Sequence, residues 1–137
     1  MAVQHKNKTI AALLALLLGG FGVHRFYLKG ATDRLGLLHL CSLPLTGILW
    51  GAVQPHPFYV LLPLLLSYIA GFIEGLVIGL TPDEAWDAQH NKASGRSSRS
   101  NWVLALVLVL ILGVGAIVLI GTIARVFDLL YTGGSYG

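Results

Sequence analysis

The hydrophobic pattern of the chain consists of four long apolar runs separated by short polar or basic segments. The runs are continuously apolar and do not alternate, so the pattern predicts membrane helices and not the strands of a barrel. The last two runs are long enough to cross a bilayer, which requires about 20 residues. In chain order, the predicted segments are residues 10–28, 35–53, 58–80 and 102–125.

The first run is the ambiguous one, because its apolar part, Ile10 to Val23, ends at His24 and Arg25. It spans the membrane only if the helix continues through Tyr27 with the arginine snorkelling; otherwise it is re-entrant. The second run contains Pro44, which is expected to interrupt it. The predicted fold is therefore an all-α integral membrane protein with three or four membrane segments.

Polar residues at the ends of the runs predict the connections. Gln54–Pro57 forms a polar, proline-rich hairpin. A short helix is predicted over residues 82–91, because Thr81 is a suitable N-cap, Pro82 suits the first helical position and Glu84 completes a capping box. We expect residues 1–91 to form one membrane domain, followed by a flexible linker (92–101), the additional C-terminal helix and a frayed tail (126–137).

Composition excludes a water-soluble globule. Of 137 residues, 55% are hydrophobic and only 11% are charged, whereas soluble domains carry about 25% charged residues. The formal net charge of +3 is spread over short loops. This distribution suits anionic lipid headgroups, so the bilayer is a predicted partner and nucleic acid is not. Cys41 is the only cysteine and can form no internal disulfide.

Basic residues cluster in two connections, the turn 25–34 and the segment 81–101. Both the three-segment and the four-segment topologies place these connections on one side of the membrane. The positive-inside rule predicts that this side is the cytoplasm and that the C-terminus lies outside a cell (inner or plasma) membrane. The side on which the N-terminus lies depends on the first run and stays open.

Glu74 is the one acidic residue inside an apolar run. An unpaired carboxylate at that depth is costly, so it should be protonated, paired or exposed to a wet cavity. Arg25 is the expected partner, with His24 as a second partner, because both lie at a similar depth. The favoured interpretation is an interhelical pair that fixes packing, and the alternative is an ion or proton site.

Small residues recur at helical spacing and predict close helix packing. Whether they pack within the chain or between copies stays open. The set comprises a stripe on the third run (Ser67, Gly71, Gly75, Gly79), a pair on the second (Gly47, Gly51) and the glycines that end the first (Gly19, Gly20, Gly22).

No pattern in the sequence indicates catalysis. There is no visible nucleophile–base pair, P-loop or Rossmann glycine motif, so we expect neither an enzyme nor a cofactor. The histidines are not spaced as H-x-x-x-H, and Cys41 lacks a second thiolate, so no metal site is expected.

The stretch Gly19-Gly20-Phe21-Gly22-Val23-His24-Arg25-Phe26-Tyr27-Leu28 resembles the opening of the TM2 domain, a family named for two transmembrane segments joined by a short turn. The end of the third run, from Phe72 through Glu74 to Asp87, is similar to the corresponding part of bacterial members. Together these stretches cover residues 8–91. The chain departs from the pattern at Lys29 and in a longer, proline-interrupted middle, residues 40–66.

The resemblance implies a small integral membrane protein with a cytosol-facing aromatic and basic turn, and no established catalytic activity. Our main hypothesis is a structural or interaction component that assembles with itself or with a membrane-protein partner. In that hypothesis the turn 24–27 and the helix 82–91 form one docking surface, with Trp86 as a membrane-interface anchor. One alternative is a small transporter or channel component that uses Glu74, His24 and His39. A weaker alternative, which no specific residue supports, is an immunity factor against a membrane-acting toxin.

Overall fold

A computed structural model describes residues 4–52 and 56–135, and within these ranges the chain is helical without strands. Among the described residues, three helices are long and apolar enough to cross a membrane, namely Arg34–Ala52, Pro57–Leu80 and Trp102–Thr132. These findings confirm the predicted all-α membrane class. The helices are α1 (Lys8–Leu18), a 3-10 turn (Gly19–Phe21), α2 (Val23–Lys29), α3 (Arg34–Ala52), α4 (Pro57–Leu80), α5 (Asp83–His90) and α6 (Trp102–Thr132).

The first apolar run folds as a hairpin and does not cross the bundle. Its reversal lies at Gly22, whose φ of 71° is in the left-handed region that glycine tolerates. α2 then returns to the end where α1 began, and the backbone N–H of Asn7 donates to the Tyr27 hydroxyl at 2.9 Å. The two ends of the run therefore lie together. Of the two arrangements that the sequence left open, a spanning segment and a re-entrant one, the structure has the re-entrant one.

Glycines let this hairpin approach α4 closely. A Cβ built on Gly71 would lie 2.7 Å from the carbonyl carbon of Gly19, and one on Gly75 would lie 3.0 Å from the Cβ of Ala15. Further along the same stripe, a Cβ on Gly79 would meet a side chain of α6 at 2.3 Å. The stripe on α4 therefore packs within the chain.

The second predicted small-residue pair behaves differently. Both Gly47 and Gly51 are exposed, and a Cβ on either would meet nothing within 4 Å in the part of the chain that the structure describes. The prediction that they pack helices together is wrong within this chain, because the buried residues of α3 are Gly36, His39 and Ser42, nearer its N-terminus.

The hydrophobic core lies where α1, α4 and α6 meet. Its buried members are Ala12, Phe72, Leu104, Val107 and Ile111. The outward faces of the long helices remain apolar and exposed, as expected for surfaces that contact lipid.

Several predicted boundaries need correction. Pro44 lies inside α3 and does not end it. The Thr81 hydroxyl donates to the carbonyl of Val77 at 2.7 Å, so this residue closes α4 and does not cap α5, whose N-cap position is Pro82. α6 continues past residue 125 to Thr132. Of the predicted hairpin Gln54–Pro57, residues 54 and 55 lie outside the described ranges.

The segment 92–101 is not a free linker, because two carboxylates of α5 hold it. Asp87 accepts the backbone N–H of Ser98 at 2.6 Å, and Asp83 accepts that of Ser100 at 2.7 Å. The ε-ammonium group of Lys8, at the start of α1, also contacts Asp83. The contact with this lysine, together with the hydrogen bonds from Ser100, lowers the pKa of Asp83 to about 2. These contacts fix the N-terminal segment, α5 and the following segment at one end of the bundle.

Candidate functional site: a polar cluster among the membrane helices

Three helices contribute titratable side chains to one cluster. α2 supplies His24 and Arg25, α3 supplies His39 and α4 supplies Glu74. The reversal at Gly22 places the first turn of α2 beside α4. Glu74 lies six residues before the end of α4, about 9 Å along the helix axis at 1.5 Å per residue.

Both oxygens of Glu74 have partners. Its Oε1 accepts from the Arg25 guanidinium (Nη1) at 2.6 Å, and its Oε2 lies 2.5 Å from Nε2 of His24. The pairing that the sequence predicted is therefore present, with His24 as the second partner. Nε2 of His39 is also 3.6 Å from the same Oε2.

Arg25 binds a second carboxylate that sequence reasoning did not assign to the site. Its Nε donates to Oδ2 of Asp33 at 2.7 Å, and that oxygen also accepts the backbone N–H of Gly36 at 2.8 Å. The arginine contact lowers the pKa of Asp33 below its ordinary value. The available signal was the position of Asp33 directly before a helix, which is typical of an N-cap.

The charges of the cluster do not cancel while both histidines are neutral. Arg25 contributes one positive charge, and Asp33 and Glu74 each contribute one negative charge, which leaves a net charge of −1. A surplus charge among membrane helices favours the uptake of a cation.

The hydrogen bonds of Ser67 determine which nitrogen of His39 carries a proton. The Ser67 hydroxyl lies 2.7 Å from the carbonyl oxygen of Gly20 and 2.8 Å from Nδ1 of His39. The single hydroxyl proton must point to the carbonyl oxygen, which can only accept. Nδ1 of His39 is then the donor to Ser67, so a neutral His39 presents the lone pair of Nε2 towards Glu74.

Two cavities border this cluster, and Glu74 lines both. One, of about 470 Å³, lies between α3 and α4 and is mainly apolar, with His39 and Ser67 among its few polar residues. The other, of about 200 Å³, lies between α2, α4 and α5 and is lined by His24 and Arg25. The carboxylate is therefore not enclosed by closely packed helices on all sides.

The structure buries two residues of the predicted docking surface, whereas one face of α5 is exposed, so binding of a partner there stays a prediction. His24 has no exposed surface and Trp86 is 1% exposed. The ring of Phe26 packs against Gly36, and Tyr27 is half-buried against the N-terminal segment. Trp86 is likewise no membrane-interface anchor, since its indole N–H donates to the carbonyl of Lys6 at 3.0 Å.

The cluster can also hold a metal ion by its geometry. One ligand atom from each of His24, His39 and Glu74 lies within 4.8 Å of the other two. No spacing in the sequence indicates this set, because the three residues come from three different helices. The expectation that the chain has no metal site therefore stays untested.

The fold and the cluster define a multi-pass helical membrane protein with a polar site beside a re-entrant hairpin. Residues 4–52 match the family model of the TM2 domain, which confirms the resemblance and spans α1 to α3. The chain is also similar to an uncharacterized membrane protein of Bacillus subtilis (strain 168), YozV. The two are 28% identical over 89 residues, which are 65% of this chain and 86% of the relative. No solved structure matches the chain significantly.

Proposed function

We propose that the chain is a small, non-enzymatic transporter or channel component that takes up a cation, either a metal ion or a proton, at Glu74. The observation that carries the proposal is the approach of His39 to a carboxylate that Arg25 and His24 already pair. A pair that only fixed the packing of α2 on α4 would not require a second imidazole from α3.

The cavities support the same proposal. The smaller cavity borders Glu74 from the end of the bundle that carries α5, and the larger one borders it from between α3 and α4. A carboxylate that two separate cavities reach can exchange a cation with either of them. With both histidines neutral, the net charge of −1 in the cluster supplies the attraction.

We further propose that the end with the N-terminal segment faces the cytoplasm. The basic residues concentrate there, whereas Arg125 lies near the opposite end, beside His56 at the start of α4. The basic positions at the proposed cytoplasmic end are Lys6, Lys8, Lys29, Arg34, Lys92, Arg96 and Arg99.

A cysteine placed at Ser97 in a Cys41→Ala background tests this orientation. It should resist an impermeant thiol reagent on intact cells and react once the cells are opened. Ready labelling on intact cells would reverse the orientation.

Flux measurements test the transport proposal. We would reconstitute the full chain into liposomes and follow trapped pH and metal-ion indicators after imposing a gradient of each cation. Glu74→Gln should reduce the flux at least tenfold, whereas Glu84→Gln, at an exposed acid on α5, should leave it unchanged. If Glu74→Gln does not fold, His39→Asn is the second variant, because an asparagine amide can still donate to Ser67. No flux above empty liposomes, or equal flux in all variants, would refute the proposal.

A structural role in a membrane assembly is the second candidate. Gly47 and Gly51 lie exposed on α3, where an added Cβ would meet nothing within 4 Å among the described residues, and small residues of this kind permit close approach of another membrane helix. A homo-oligomer predicts that Gly47→Leu lowers the oligomeric mass in mild detergent, with Ile48→Ala, an exposed position next to it, as a control. An unchanged mass for Gly47→Leu would remove this candidate.

A further inference from the structure

His24, His39 and Glu74 direct donor atoms of three helices towards one point among the membrane helices. We infer that these three residues bind a divalent transition-metal ion of the zinc class. The inference rests on the cation site proposed above and names its ligand.

The first argument is the unfavourable contact between neutral His39 and Glu74. Because its Nδ1 donates to Ser67, the Nε2 of neutral His39 is an acceptor, and it lies 3.6 Å from Oε2 of Glu74, which is also an acceptor. A cation between these two atoms would bind the lone pairs of both acceptors. The bond to Ser67 is the kind of outer-shell hydrogen bond that fixes the tautomer and ring orientation of a metal-binding histidine.

The second argument concerns the proton at His24. The 2.5 Å between its Nε2 and Oε2 of Glu74 requires a proton between them, and a metal ion takes the place of that proton. Neutral His24 then carries its proton on Nδ1, which is buried and has no hydrogen-bond partner among the described residues. The change of tautomer breaks no existing hydrogen bond at Nδ1, but it places a buried N–H there without an acceptor among the described residues, a cost that the bond to the metal ion has to exceed.

Arg25 does not block the site, although it contacts the same carboxylate. It uses Oε1 of Glu74, whereas both histidines approach Oε2. Its charge is also offset by Asp33, which accepts from its Nε. Oε2 therefore keeps the negative charge that a metal ligand needs.

The donor types fit a zinc-class ion, and the distances fit once the His24 ring moves away from Oε2 of Glu74 by about 0.9 Å. Zinc binds imidazole nitrogens and carboxylate oxygens at about 2.0–2.2 Å, which places neighbouring ligands of a tetrahedral site roughly 3.4 Å apart. The distances from Oε2 to His24 and His39 are 2.5 and 3.6 Å, one shorter and one slightly longer than that value. Two imidazoles also favour a transition metal over magnesium or calcium, which prefer oxygen ligands. The cavity of about 200 Å³ that borders His24 and Glu74 has room for a water molecule as the fourth ligand.

Titration with Co²⁺, a spectroscopic probe for zinc sites, tests the inference on the full chain in mild detergent. We expect one saturable equivalent with the visible absorption of a four-coordinate site, displaced by Zn²⁺. His39→Asn keeps a donor for Ser67 but removes the ligand, and it should weaken binding more than tenfold. Ser67→Ala, which removes only the outer-shell hydrogen bond, should weaken binding about 10–100-fold. His56→Gln, at the opposite end of α4, is the control and should bind as the native chain does.

The outcomes separate this inference from the proposed function. No saturable Co²⁺ or Zn²⁺ binding, together with a proton flux that depends on Glu74, would refute the metal site and leave the transport proposal standing. Binding that survives both His39→Asn and Glu74→Gln would also refute the inference, because the ion would then lie elsewhere. Absence of both metal binding and flux would refute the two proposals together.

Discussion

Replacing Gly71 by alanine tests the close contact on which the position of the hairpin depends. The new Cβ would lie 2.7 Å from the carbonyl carbon of Gly19, whereas ordinary contact begins near 3.4 Å. α1 and α4 would therefore have to separate by about 0.7 Å. The atom in the way belongs to the backbone and cannot be relieved by a change of rotamer, so we place the cost in the upper part of the range of about 1–3 kcal/mol for overpacked sites.

Gly47→Ala is the matched control. It makes the same chemical change within a helix, but its Cβ meets nothing within 4 Å. Both variants gain the higher helix propensity of alanine, about 1 kcal/mol, so the difference between their stabilities isolates the steric cost at Gly71. Thermal unfolding in mild detergent, followed by loss of the monodisperse gel-filtration peak, measures this difference. We expect Gly71→Ala to unfold at a lower temperature than the native chain and Gly47→Ala at the same or a higher one. Equal stability of the two variants would show that α1 and α4 are not in close contact.

Two further predictions concern the ion pairs. Arg25→Gln should destabilise the fold more than Glu74→Gln, because it leaves two carboxylates without their guanidinium, whereas Glu74→Gln leaves Arg25 bound to Asp33. In detergent unfolding, the double variant should lose less stability than the sum of the two single losses. Strictly additive losses would contradict the pairing. Asp83→Asn should lower stability at pH 7 by about 1 kcal/mol or less, since the pair with Lys8 is partly exposed. Because folding lowers the pKa of Asp83 from 3.8 to about 2, its contribution is present above pH 4 and is lost between about pH 4 and pH 2. The native chain and Asp83→Asn should therefore converge in stability in that window, and a difference that persists at pH 2 would contradict this account.

The sequence predicted the features that depend on a single apolar run, or on two residues that lie at a similar depth in the membrane. The long apolar runs predicted α3, α4 and α6, and the isolated acid within the third run predicted its pairing with Arg25. The cost of an unpaired carboxylate among membrane helices is large enough to make such a prediction possible. The sequence named His39 beside Glu74 only as an alternative, because the approach of its ring depends on the rotation of α3 about its own axis.

The sequence also could not predict that the turn 24–27 faces inward. Aromatic and basic residues at the end of an apolar run are typical of a membrane interface, and that pattern placed His24 on an exposed surface, whereas its side chain is buried. The deciding feature was the left-handed conformation of Gly22, which reverses the chain before it reaches the far side. A glycine permits that conformation but does not require it, so the residue type alone could not predict the reversal.

The glycine-rich end of the first run and the polar cluster form one structural unit. Gly19 lies against Gly71, and this contact sets the distance between the hairpin and α4. Only three residues later Gly22 reverses the chain, so that α2 begins about one turn of α4 away from that contact, at the level of Glu74. A longer first run would carry the reversal past this level, and a bulkier residue at Gly71 would hold the hairpin too far away for His24 to reach the carboxylate. The close packing of the glycines is therefore a condition for the cation site, and Gly71→Ala should weaken Co²⁺ binding as well as stability.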